Sequence, residues 1–362
     1  MAIMAATSNH VDTPGLRIHY LQQGTGTPVV LLHGFPETSH QWRHQIAALA
    51  EAGFACFAPD NRGFGRTDKP RTRISRGLLA RDVARFMDAV GLESAHVVGH
   101  DWGGIIAFKV VADHPARVRS VTLIDTLCTV WAPRAVHGYW FKAPGLAEEF
   151  FARHHREFIE GTFGGGFGGD DGDTIPGRPE AAFRFRPGIR PRPDWVDADT
   201  LDHYRDAFAD PDSHFAAIQY YRYGLPFHAI EENGALTPLD EREVAEMWLH
   251  PEGLEAHPRW ARYMDYGPED RTTRFPRPAL WLHSRPVGKA PTADAAPPDP
   301  TEIPRGNPFF DQFSTYFPDL RARTIAAGHF LGEEAPAAVN ESLLAFFRGP
   351  AAAGAAVPGG GT

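Results

Sequence analysis

Short apolar runs, each closed by turn residues, alternate along the chain with longer stretches of helical period. Val29 to Leu32 runs into His33-Gly34, and Phe54 to Ala58 into Pro59-Asp60. His96 to Val98 runs into Gly99-His100-Asp101, and Val121 to Ile124 into Asp125. Runs that are apolar on both faces suit strands of a buried parallel sheet; strict alternation would mark one wet face. Between them, Gln41–Ala52, Ser75–Val90 and Gly103–His114 read as helices. Strand and helix in alternation predict an α/β fold, a mostly parallel central sheet with right-handed crossovers and helices on both faces.

The pattern changes after Asp125. From about Thr126 to Thr273 the chain is rich in aromatics, His, Pro and charge, with helical pieces at Leu146–Glu160 and Thr200–Arg222 and no clear parallel-strand run. Pro278 to His283 and Ala322 to Ala326 then read as strands again, and Ala337–Phe347 as a closing helix. The layout predicts a core in two parts, 1–126 and 276–350, interrupted by a mainly helical cap over 127–275 and followed by a disordered tail over 351–362. Gly161–Gly172, dense in glycine, and Arg285–Pro308, dense in proline, read as surface loops. The second half of the cap, Gly224–Thr273, carries no motif.

Composition narrows the function classes. The chain has 362 residues, 43% of them hydrophobic and 22% charged, the balance of an ordinary globular protein. Its net charge of −9 argues against a nucleic-acid or anionic-membrane partner, since both need clustered Lys and Arg. No stretch approaches the roughly 18 apolar residues of a membrane span. The opening residues have neither a basic n-region nor an apolar h-region, so no secretory leader is expected there. Cys56 and Cys128 both lie in apolar runs and read as buried small hydrophobes, and a cytoplasmic setting is expected. The remaining histidines, among them His154, His155 and His203, show no metal-ligand grouping, and no glycine-rich phosphate cradle follows a strand. No metal and no cofactor are expected.

The most informative segment is Gly99-His100-Asp101-Trp102-Gly103-Gly104. It follows a strand, precedes a helix and has the G-x-nucleophile-x-G spacing of a nucleophile elbow, where small residues allow a tight turn. With Asp101 in the nucleophile position, the segment resembles the epoxide hydrolase and dehalogenase branch of the α/β-hydrolase fold. Three further segments resemble that family in the right order: His33-Gly34-Phe35-Pro36, Asp60-Asn61-Arg62-Gly63-Phe64-Gly65 and Ala327-Gly328-His329-Phe330. A carboxylate suits displacement at a saturated carbon, giving an alkyl ester that water must then cleave. The resemblance implies His329 as the base for that water, and the N–H groups of Phe35 and Trp102 as an oxyanion hole. It also places Phe35, Pro36 and Trp102 at the substrate pocket.

The base needs a carboxylate partner. Family members place it either after the strand that follows the nucleophile helix, which here is Asp125, or after the first strand beyond the cap. Near His283-Ser284-Arg285 no acid stands, and Asp294 and Asp299 lie further on. Asp125 is therefore the favoured acid.

Opening an epoxide also requires hydrogen-bond donors to the leaving oxygen, which the resemblance places in the cap. Gln219-Tyr220-Tyr221-Arg222 points to Tyr221. The second donor is His137 when the alignment takes a one-residue gap; Tyr139 and Trp140 are the alternates. Haloalkane dehalogenases usually carry Asn where Phe35 stands, and fluoroacetate dehalogenases usually carry Arg where Trp102 stands. The resemblance thus implies epoxide hydrolysis on a small apolar epoxide, by a monomer or homodimer. A dehalogenase with the same three residues is the alternative, and a catalytically silent ligand-binding protein a further one.

Overall fold

The computed structural model describes residues 5–128, 141, 145–163, 194–224, 228–230, 236–238, 264–265, 270, 272–284 and 313–349. The expected tail 351–362, the proline-dense loop over 285–308 and the cap residues His137, Tyr139 and Trp140 lie outside the described residues. The fold divides into two compact units. One comprises Met1–Asn61, Leu79–Cys128 and Thr272–Thr362, the other Arg62–Leu78 and Thr129–Arg271.

The strands in chain order are β1 (Thr7–Thr13), β2 (Leu16–Gln23), β3 (Thr27–Leu32), β4 (Phe54–Pro59), β5 (Ala95–His100) and β6 (Val118–Ile124). After them come β7 (His228–Ile230), β8 (Leu236–Pro238), β9 (Met264–Asp265), β10 (Ala279–Ser284) and β11 (Leu320–Ile325). The helices are α1 (Arg43–Glu51), α2 (Arg76–Ala89), α3 (Trp102–Asp113), α4 (Leu146–Phe163), α5 (Ala198–Ala207), α6 (Pro211–Tyr223), α7 (Leu331–Glu334) and α8 (Pro336–Arg348).

The first unit is built on an eight-stranded sheet of order β1-β2-β4-β3-β5-β6-β10-β11. From β4 to β11 neighbouring strands pair in parallel, while β2 pairs antiparallel with both β1 and β4. Every residue of β5 is buried, as a central parallel strand requires. The β1–β2 hairpin was not visible in the apolar runs because it forms an edge; none of the seven residues of β1 is buried. One side of the sheet packs Val29, Leu31, Val98, Ile124 and Leu282 against Ile46 and Leu49 of α1 and Val339 and Leu343 of α8. Each such side chain contributes about 1.5–3 kcal/mol on full burial. The helix α3 is buried along most of its length, which explains its nearly continuous apolar sequence.

In the second unit, Phe163 of α4 stacks on Tyr204 of α5 at 4.4 Å, and Arg205 pairs with Glu160 at 2.8 Å. The three short strands form an antiparallel sheet of order β8-β7-β9. Thr200–Arg222, expected as one helical piece, is two helices. Pro211 occupies the first turn of α6, and the Asp210 side chain caps it by accepting the Asp212 N–H at 2.9 Å. The segment Arg62–Leu78 belongs to this unit: the Tyr220 hydroxyl donates to the Arg62 carbonyl at 2.9 Å. Among the described residues no helix is long and apolar enough to cross a membrane.

Candidate active site

The carboxyl ends of β3, β5, β6, β10 and β11 carry the polar residues of the first unit's site. In an open α/β sheet this is where ligands bind, at the point where strand order reverses; here that is β3, flanked by β4 and β5. His100, the last residue of β5, pairs in register with Ile124, the last of β6. Asp101 and Asp125 are therefore the next residues on two adjacent strands.

Asp101 turns out of the sheet at φ 48° and ψ −118°. The turn is held by its carbonyl, which accepts the Gly104 N–H at 2.9 Å, the Ile105 N–H at 3.1 Å and the Thr126 hydroxyl at 2.6 Å. The elbow's glycines have a steric reason. A Cβ on Gly103 would lie 1.9 Å from the Leu32 carbonyl oxygen, and one on Gly99 would lie 2.1 Å from that of Gly103. Helix α3 can thus start against the sheet only with these two positions bare.

One carboxylate oxygen of Asp101, Oδ1, accepts the Phe35 N–H at 2.8 Å, while Oδ2 lies 3.5 Å from His329 Nε2. On the far side of the ring, His329 Nδ1–H donates to Asp125 Oδ2 at 2.6 Å. The other oxygen of Asp125 accepts both the N–H (3.0 Å) and the hydroxyl (2.9 Å) of Ser284. Asp101, His329 and Asp125 thus form a continuous carboxylate–imidazole–carboxylate line. Phe35 and Trp102 are both buried, Trp102 as the first residue of α3; Pro36, also buried, follows Phe35 through a cis peptide bond.

Charge in this line is unevenly held. Burial alone would raise the carboxyl pKa of Asp101. The hydrogen bond and charge of His329, the charge of His100 and the Phe35 N–H outweigh it, so Asp101 lies below the usual carboxylate range. Asp125 is lowered in the same way by His329 and Ser284 against the penalty of burial. His329 shows the reverse: burial disfavours its charge, but hydrogen bonds and charge from both aspartates raise its pKa well above the ordinary imidazole value. The arrangement therefore favours an imidazolium between two carboxylates.

Behind the line runs a second buried polar chain that the sequence motifs did not reveal. His100 Nδ1–H donates to Glu37 at 2.9 Å, and His100 Nε2–H donates to the His329 carbonyl at 2.8 Å. Burial works against protonation of His100, but the charge and hydrogen bond of Glu37 prevail and its pKa is raised. Glu333 hydrogen-bonds to Glu37 and pairs with Arg43. Its own burial and then the Glu37 charge push its pKa up to about 8, against the pull of the Arg43 charge. Asp60, flagged as a motif, has a structural post: it accepts the Ser39 N–H at 2.7 Å and faces His19 Nδ1 at 2.7 Å.

In the second unit Tyr221 is buried on α6, its ring stacked 4.2 Å from that of Phe141. Among the described residues no group of three or more His, Cys, Asp or Glu is arranged to hold a metal ion.

A family model described as alpha/beta hydrolase fold matches residues 27–188. Epoxide hydrolase A of Mycobacterium tuberculosis is 33% identical over 239 residues, which cover 56% of this chain and 70% of that protein. The chain belongs to the α/β-hydrolase fold family, in its epoxide hydrolase branch. The bifunctional epoxide hydrolase 2 of Sus scrofa is 34% identical over 172 residues, 40% of this hydrolase and 31% of the pig protein, so the match spans about a third of that relative. Among solved structures, an epoxide hydrolase from an endophytic Streptomyces aligns with the hydrolase at a TM-score of 0.64 and 25% identity, covering 95% of each chain.

Proposed function

We propose that this hydrolase opens an apolar epoxide to a vicinal diol through an alkyl ester on Asp101, within a core capped by residues 127–275. The observation that carries the reading is the division of labour between the two oxygens of Asp101. Oδ1 is held by the Phe35 N–H, while Oδ2, 3.5 Å from His329 Nε2, is the oxygen assigned to the attack. Attack by Oδ2 breaks the oxirane C–O bond, and the electron pair leaves on the epoxide oxygen, which Tyr221 and His137 receive. Oδ1 then becomes the ester carbonyl oxygen, and its negative charge in the tetrahedral intermediate falls on the N–H groups of Phe35 and Trp102.

The proton inventory closes. His329 starts as an imidazolium, and ester formation removes the charge of Asp101 that helped to keep it so. The ring's pKa falls, and the proton it releases after ester formation replaces the one that the opened oxygen has taken from Tyr221 or His137. Neutral His329, its tautomer fixed by Asp125, then takes a proton from the attacking water. Collapse releases the diol and returns carboxylate and imidazolium to their starting states.

Intact-protein mass spectrometry of His329→Gln tests the reading after incubation with a panel of epoxides and haloalkanes. An adduct of one whole epoxide mass on Asp101 is expected. An adduct equal to a haloalkane less hydrogen halide would overturn it in favour of dehalogenation, and no adduct at all would favour a binding role.

A further inference from the structure

The loop that carries His329 is short and exposed. It spans five residues between Ile325, the end of β11, and Leu331, the start of α7, and Ala326, Gly328 and His329 are all exposed. Loops of this kind move unless their backbone groups are tied. Here they are tied on three sides. The Glu334 carboxylate accepts the Gly328 N–H at 2.6 Å through Oε2 and the Phe330 N–H at 2.9 Å through Oε1, the two peptide groups that bracket His329. The carbonyl of His329 itself accepts His100 Nε2–H.

We propose that Glu334 is a positioning residue for the base, clamping the backbone on either side of His329 so that its ring stays in line between Asp125 and Asp101. This rests on the reading of His329 as the water-activating base. The clamp accounts for two features of the loop that the triad alone does not. Gly328 is the residue before the base because a Cβ there would lie 2.7 Å from both Glu334 oxygens, too close for the carboxylate to reach the two N–H groups. The consecutive acids Glu333 and Glu334 diverge: Glu333 goes inward to Arg43 and Glu37, while Glu334 turns back on the loop. Fork-like capture of two N–H groups by one ionised carboxylate gives stronger and better directed bonds than neutral acceptors would.

The two chemical steps depend on the clamp differently. Ester formation uses Asp101, which the elbow and Phe35 hold. Ester hydrolysis uses His329, whose Nε2 must address a water at the ester carbon. A base displaced on the order of 1 Å can cost up to about a hundredfold. Glu334→Ala is therefore expected to leave the rate of ester formation within about threefold of the parent and to slow ester hydrolysis ten- to hundredfold. In the steady state kcat and KM fall together while kcat/KM holds, a split that general loosening of the fold would not produce. Glu334→Gln, which keeps one acceptor oxygen, should fall between. Gly328→Ala, which displaces the carboxylate without removing it, should resemble Glu334→Ala.

Rapid-quench mass spectrometry of the two steps decides the matter, together with the proton resonance of His329 Nδ1–H in the substrate-free protein. That resonance should be sharp in the parent and broadened by exchange in Glu334→Ala. Hydrolysis within threefold of the parent in both Glu334→Ala and Gly328→Ala, or equal slowing of both steps, would overturn the clamp. If the parent forms no ester, the reaction assigned above fails, and an unchanged Nδ1–H resonance in Glu334→Ala would separately overturn the clamp.

Discussion

Replacing Asp125 with Asn keeps the size of the side chain and removes one proton acceptor. The carboxylate makes three bonds: Oδ1 takes the N–H and hydroxyl of Ser284, and Oδ2 takes His329 Nδ1–H. An Asn whose oxygen stays with Ser284 must point its NH₂ at His329, so a donor faces a donor. In the ester the neutral ring relieves the clash by carrying its one proton on Nε2, the nitrogen that must accept from water. By the precedent of the same change in a serine-protease triad, hydrolysis slows about 10⁴-fold. That corresponds to about 5.4 kcal/mol of lost transition-state stabilisation. Ester formation should stay within about tenfold, because Asp101 keeps its Phe35 N–H and Nε2–H still faces its Oδ2. Quenched single-turnover reactions would then show one equivalent of ester per chain forming fast and decaying slowly. Ester decay within tenfold of the parent would refute the assignment of Asp125 as the residue that orients the base.

Further outcomes follow from packing and charge. Gly103→Ala should cost about 3 kcal/mol or more, since its Cβ meets the Leu32 carbonyl; Gly332→Ala, whose closest neighbour would be Gln45 at 3.4 Å, should change the chemical-denaturation midpoint little. His96, held at about 4 by burial and then by the Arg119 charge, stays neutral in the fold while the unfolded chain takes up a proton below about 6.5. Its contribution is complete above that pH and is lost as pH falls toward 4, about 3 kcal/mol in all. Urea titrations of His96→Asn over that window should show a shallower loss than the parent. The Cys56 thiol, pushed up to about 12 by burial, and Cys128, raised by the same cause, should resist a thiol reagent at pH 8 until denaturant is added. Ester hydrolysis should rise with pH through the pKa of His329 in the ester, which lies below that of the free protein once Asp101 is uncharged, whereas ester formation should not follow that group. Identical pH profiles for the two steps would contradict that order of protonation.

The parts of this fold that sequence patterns reach are those whose reason is local. Val29–Leu32 and Val97–Val98 announce buried strands because consecutive positions are apolar, and each run leads to the turn that carries Phe35 or Asp101. Patterns of this kind miss elements that are wet on one side, such as β1, and breaks set by a cap, such as Asp210 before Pro211. They miss long-range pairings altogether. Arg43 and Glu333 stand 290 positions apart, and Ser284 meets Asp125 across 159. Ser284 sits where the sequence offered no acid after the first strand beyond the cap. The structure shows why none is needed there: that position supplies hydrogen bonds to the acid on the neighbouring strand. Glu334 could have been suspected only from lying five residues past a glycine–histidine turn, which by itself says nothing of two captured N–H groups.

Among the described residues, only Asp101 and Asp125 combine a side chain with positive φ, 48° and 39°. Each such residue costs on the order of 1–3 kcal/mol, and persists only where its surroundings over-determine it. At Asp101 they do so through three donors on one carbonyl, and at Asp125 through its N–H on the Leu282 carbonyl and the Ser284 pair on its side chain. The shared strain has a shared result. Both residues follow the last register pair of adjacent strands, His100 and Ile124, and both take a left-handed step there. Two carboxylates are thereby delivered to the same edge of the sheet, within reach of one imidazole. Extended backbone would have sent these consecutive positions along their strands instead. The strain is thus the geometric condition for the charge pattern, in which one imidazole faces two carboxylates.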